Sequence, residues 1–85
     1  VTVEERAAAA ADRRRREREL DAAFASTFAS PAGEKVLAWL GSITFGRVMG
    51  PEASDGALRH LEGQRYVVQI IMERVNRGRK RSRTA

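Results

Sequence analysis

The residues best able to do chemistry are few. His60 is the only histidine, and the chain has no cysteine. A lone imidazole can act as a general base or a pH switch, but no second histidine or thiol joins it at a metal. Its helical neighbour at i+4 is Gln64, so an ordinary helix-surface residue is the plainer reading. Ser26, Thr27, Ser30, Ser42 and Ser54 lack a base in local spacing, and Ser30 and Ser54 already read as helix caps. The acids do not follow a calcium-loop pattern. Gly41, Gly46 and Gly50 are not followed by the Lys-Ser/Thr pair of a phosphate loop. The expectation is a protein without enzymatic activity, cofactor or metal, working by binding other molecules.

Two basic stretches remain. Net charge is +5 over 85 residues, unevenly spread: +1 over residues 1–19, −2 over 20–73 and +6 over 74–85. Arg13 to Arg16 spans more than one helical turn and is diluted by Asp12, Glu17 and Glu19, so a solvated helix is the simpler account. Arg77, Arg79, Lys80, Arg81 and Arg83 are diluted by no acid. Such a tail binds polyanions by releasing counterions from phosphate, without reading sequence. Docking on an acidic protein surface or a purely solubilising role stay open as alternatives.

Helices must position these groups. Val3 to Ala29 reads as one helix, rich in alanine and charged helix formers. Its first half has no apolar stripe and is expected to project, fray or lie on a partner. Leu20, Phe24 and Phe28 share a face, so the globular part begins near Leu20. Ser30-Pro31 starts a second helix to about Ser42, with a 36/40/43 core face and Trp39 at its border. Residues 44–56, containing Gly50-Pro51, form a loop. A third helix runs from Ser54 or Asp55 to about Asn76, with Gly78 as its stop and residues 79–85 unstructured when alone. Leu58, Leu61, Val68, Met72 and Val75 follow an alternating three–four spacing, and Val67, Ile70 and Ile71 broaden it until the helix is apolar on most sides. Leu58, Leu61, Tyr66, Val67, Ile70 and Ile71 are the candidate protein interface. Either a partner chain or the first two helices cover that surface. Phe24, Phe28, Trp39 and Phe45 read as core rather than as a base-stacking platform.

The fold expected is all-α: a small antiparallel domain of about three helices (20–76), a charged N-terminal extension (1–19) and a basic flexible tail (77–85). A core this small is marginal for a free monomer, which favours an oligomer or an assembly. No apolar run is long enough to span a bilayer, and no signal-peptide core is evident at the N-terminus.

The stretch from Phe24 to Val75 resembles a family of small phage proteins encoded among head and tail genes, one of them from a Bordetella phage. The matching elements are Phe24/Phe28, the segment Ser30-Pro31-Ala32-Gly33-Glu34-Lys35-Val36-Leu37-Ala38-Trp39-Leu40, and Leu61-Glu62-Gly63-Gln64-Arg65 leading into an apolar helix. The resemblance implies a virion-associated or assembly role without catalysis, in the virion or in the host cytoplasm during assembly. Expected partners are other virion proteins, with portal and internal proteins as candidates, and DNA bound non-specifically. The alternatives are a nucleic-acid-binding regulator in the infected cell and an assembly adaptor that ignores DNA.

Overall fold

Thr2 sets the start of the first helix. Its Oγ1 accepts from the Glu5 backbone N–H at 3.0 Å, and Glu4 and Glu5 complement the helix dipole. In the computed structural model, which describes residues 1–84, helix α1 runs Val3–Thr27. Asp12 pairs along it with Arg16 at 3.2 Å and with Arg15, contacts worth a few tenths of a kcal/mol (~0.2–0.5) each. Nearly all of the first twenty residues are exposed, and the first buried one is Asp21.

Helix α2 spans Pro31–Thr44. The Ser30 Oγ accepts from the Gly33 N–H at 3.0 Å, and Pro31 occupies the first turn, where its missing N–H costs nothing. Gly33 permits a tight α1–α2 corner, because a Cβ there would sit 2.8 Å from the Phe28 Cα. The inward face of α2 is not the expected 36/40/43 set. Gly33, Leu37, Leu40 and Thr44 turn inward, while Val36, Trp39 and Ile43 are exposed. Two contacts decide the rotation. Thr44 is buried with its hydroxyl donating to the Leu40 carbonyl at 2.6 Å. Its own carbonyl accepts from Arg65 Nε at 3.0 Å. Trp39 and Phe45, expected in the core, are exposed, and Phe24 and Phe28 are half-buried.

After the Gly50-Pro51 turn, the Ser54 Oγ accepts from the Ala57 N–H at 3.1 Å, and helix α3 runs Asp55–Thr84. Leu61, Val68 and Val75, seven residues apart, are its buried apolar residues. Both earlier helices pack on α3. The start of α2 lies near Arg79, since the Arg79 Nη2 donates to the Phe28 carbonyl. Its end lies at Arg65, so α2 runs antiparallel to α3. The α1 helix crosses the C-terminal half of α3.

The expected stop at Asn76–Gly78 does not occur, and residues 79–84 are helical; Ala85 lies outside the described residues. Gly78 is instead where α1 and α3 touch. A Cβ there would overlap the Asp21 carbonyl and lie 2.7 Å from the Ala25 Cβ. Glycine serves here for close approach rather than for a helix stop.

The result is a thin plate of 56 × 36 × 16 Å with a radius of gyration of 17.5 Å. A compact chain of this length has a radius of about 12 Å. The accessible surface is 6650 Å², against about 5,000 Å² for a typical monomer of this mass.

Candidate nucleic-acid interface

Asp21 is 1% exposed, a location that normally disfavours a carboxylate. Three arginines on one face of α3 account for it. Arg74 Nη1 donates to Oδ1 at 2.9 Å, Arg77 Nε to Oδ2 at 3.1 Å and Arg81 Nη1 to Oδ2 at 2.7 Å. Positions 74, 77 and 81 follow the three–four spacing of a helix face. Arg74 also meets Glu17 Oε2 at 2.7 Å. Burial pushes the Asp21 carboxyl up, but the hydrogen bonds from Arg81, Arg77 and Arg74 outweigh it and hold the pKa at about 2, below the usual 3.8. The pKa of Arg74 is raised by its bonds to Glu17 and then Asp21. Breaking such a pair is costly, because the remaining carboxylate would be buried and uncompensated.

The cluster does not exhaust its cations. Three arginines face two carboxylates, and the side chains of Arg77 and Arg81 are each 45% exposed. A guanidinium carries five donors, so each can still turn N–H groups to a second anion. Arg81 also reaches the opposite helix. Together with Arg13, Arg14, Arg16 and Arg18, and with Glu17, it lines one open hollow between α1 and the end of α3. The two basic stretches, separate in sequence, therefore meet in space. Such an arrangement can receive phosphate oxygens from several directions in charge-assisted hydrogen bonds.

The five tail residues predicted to bind nucleic acid have distinct settings. Arg77 and Arg81 belong to the cluster, and Arg79 reaches the Phe28 carbonyl at 3.4 Å. Lys80 and Arg83 are exposed. Sequence reasoning left both Arg74 and Asp21 out of the candidate site. The available signal was an acid beside the Leu20/Phe24/Phe28 face, but its partners lie more than fifty residues away.

The apolar residues proposed as an interface also separate. Leu61 packs in the chain's own core and Ile71 is half-buried. Leu58 borders a small hollow with Val48 and Met49. Val67 borders a groove between α2 and α3 with Leu40 and Ile43. Tyr66 and Ile70 lie on the side of α3 away from the core, Tyr66 being 67% exposed. The polar element Glu62 to Arg65 holds the α2 end. Arg65 binds Glu62 at 2.8 Å and also donates to the Thr44 and Arg47 carbonyls, at 3.0 and 2.6 Å. His60 lies 3.2 Å from Gln64 between ring and amide nitrogens. Among the described residues no group of three His, Cys, Asp or Glu could hold a metal ion, and no helix is long and apolar enough to cross a membrane.

Fold and site together define a small all-helical protein whose conspicuous features are an arginine-lined hollow and broad uncovered apolar faces. Residues 24–82 match the family model described as Bbp19-like phage protein, and the chain belongs to that family. No curated protein and no solved structure matches it.

Proposed function

We propose that this chain is a minor structural protein of a phage particle, acting without catalysis. Its apolar helix faces dock on other virion proteins, and its arginine-rich end lies against packaged DNA. Membership of a phage protein family supports the setting. The observation that carries the DNA contact is the meeting of Arg13, Arg14, Arg16 and Arg18 with Arg81 around one hollow. Two basic stretches on one concavity raise the local density of positive charge beyond what either supplies alone, and phosphate binding follows charge density. The docking role is supported by a surface about a third larger than a compact monomer of this mass exposes. Trp39, Val36, Tyr66 and Val67 all stand more than half exposed. Virion and host cytoplasm during assembly are the locations this role implies.

Mass spectrometry of purified particles, before and after genome ejection, tests the reading. Presence in full particles with loss on ejection marks an internal protein delivered with DNA. Presence in both marks a fixed component held by its helical faces. Absence from both overturns the virion role and favours a regulator acting in the infected cell. One observation favours the adaptor that ignores DNA: Arg74, Arg77 and Arg81 already have an internal anion in Asp21. Nitrocellulose retention of duplex DNA by the purified chain separates that reading, since an adaptor retains none.

A further inference from the structure

The side of α3 facing away from Leu61, Val68 and Val75 carries an ordered pattern. At 100° per residue, Gly63, Tyr66 and Ile70 point directly away from the core face. Each is exposed, and nothing lies within 4 Å of a Cβ placed at Gly63. The same line continues to charged residues at both ends. Toward the N-terminus come Arg59 and then Asp55; toward the C-terminus come Glu73 and then Arg77.

The charges are arranged about Tyr66. Arg59 and Glu73 stand seven residues on either side of it, and Asp55 and Arg77 eleven. When two such helices are laid antiparallel with Tyr66 against Tyr66, Arg59 of each faces Glu73 of the other, and Asp55 faces Arg77. All four crossings are attractive. Laid parallel, every charge meets its own kind, at a cost. Gly63 lets the backbones approach, and Tyr66 and Ile70 fill the centre. Among the described residues neither Arg59 nor Glu73 forms an ion pair within 4.0 Å. Glu73 accepts from the neutral Gln69 amide, at 3.0 Å. Arg77 gives Asp21 its Nε and a long Nη2 contact, leaving donors for a second carboxylate.

From this charge complementarity we infer that the outer face of α3 is a self-recognition surface, and that its occupant is a second copy of this chain in antiparallel register about Tyr66. The surface that each chain exposes beyond that of a compact monomer is about 1,600 Å², twice the ~800 Å² that one partner contributes to a standard interface. The inference rests on the reading of the apolar helix faces as docking surfaces and names the partner of one of them. It also places the two arginine-lined hollows at opposite ends of the pair. Arg81 lies fifteen residues from the centre, so the ends are separated by about 45 Å along the helices.

Sedimentation equilibrium on the full chain tests it, with Arg59→Glu, Glu73→Arg and the double variant carrying both. The wild type sediments as a dimer. Each single change turns two attractions into repulsions and weakens the dimer about tenfold or more. The double variant restores it to within a few-fold. Circular dichroism confirms that each variant is helical, and Tyr66→Ser provides a test without changing charge: it too weakens the dimer. A wild type that stays monomeric at high micromolar concentration overturns the inference, as does a double variant no tighter than the singles. A monomer that is nevertheless found in particles overturns the dimer alone. A dimer absent from particles overturns the virion reading and leaves the self-recognition surface standing.

Discussion

Arg81 Nη1 donates to Asp21 Oδ2 at 2.7 Å across sixty residues of chain. With Arg74 and Arg77 on the same carboxylate, this contact ties the end of α3 to the middle of α1. Asp21→Ala removes the common acceptor and leaves three cations crowded together. A loss of about 2 kcal/mol is expected, less than for a wholly buried triad because Arg77 and Arg81 can turn to water. Urea unfolding measures it, and hydrogen exchange should show protection falling first over residues 79–84.

The same carboxylate sets an acid limit. Its pKa is about 2 in the fold against an ordinary 3.8. A depressed folded pKa contributes stability that is complete above the unfolded value and disappears as pH falls through the folded one. Because of Asp21, the melting temperature of the wild type should decline more steeply between pH 4 and 2 than that of Asp21→Asn. Parallel curves for the two proteins over that window would contradict the assignment.

Two glycine substitutions should have opposite signs. Gly78→Ala places a Cβ against the Asp21 carbonyl and the Ala25 Cβ, forcing α1 and α3 apart, and should cost about 2 kcal/mol or more. Gly41→Ala meets nothing within 4 Å in the interior of α2 and should gain up to about 1 kcal/mol from helix propensity. Thermal unfolding of both against the wild type distinguishes close packing at Gly78 from a general glycine effect.

Arg65→Lys is not conservative here. The guanidinium forks between the Thr44 and Arg47 carbonyls at the α2 C-terminus, where a cation also suits the dipole. A single ammonium cannot reproduce that fork together with the Glu62 contact, and a loss of about 1–2 kcal/mol is expected in chemical denaturation.

For DNA, replacing Arg13, Arg14 and Arg18 together by Ala should lower affinity equally for unrelated duplex sequences. The slope of log K against log salt should become shallower by up to about 0.9 for each phosphate that the variant no longer neutralises. Asp21→Asn, by releasing three arginines, should leave affinity unchanged or raise it. A fall in affinity with the fold intact would mean that the cluster, rather than its free cations, presents the binding surface.

Much of the fold was legible in local chemistry. Ser30-Pro31 and Ser54 announce helix starts through caps whose partners lie three residues away, whereas the cap at Thr2 was not read. The three–four spacing on α3 contains its core residues Leu61, Val68 and Val75, although Leu58 and Met72 of the same pattern are exposed. What was not legible depends on distant contacts. Gly78 carries the sequence signature of a helix stop, yet packing against Ala25 and the arginine bonds to Asp21 keep the helix going to Thr84. The rotation of α2 turned on Thr44, whose buried polar groups are satisfied by Leu40 and Arg65. The basic tail was evident from charge alone, but not its meeting with Arg13 to Arg18, because periodicity does not tell where two helices cross.

The arginines at 74, 77 and 81 reach Asp21 because they return to the same azimuth of the helix. Asp21 therefore acts as a phase mark for the end of the chain. Inserting or deleting one residue between Val75 and Lys80 would swing Arg81 by about 100° away from it, while a change of three or four residues would bring a side chain back near the same bearing. The C-terminal segment is thus constrained in rotation more than in length, so its tolerance of insertions and deletions should follow whole helical turns.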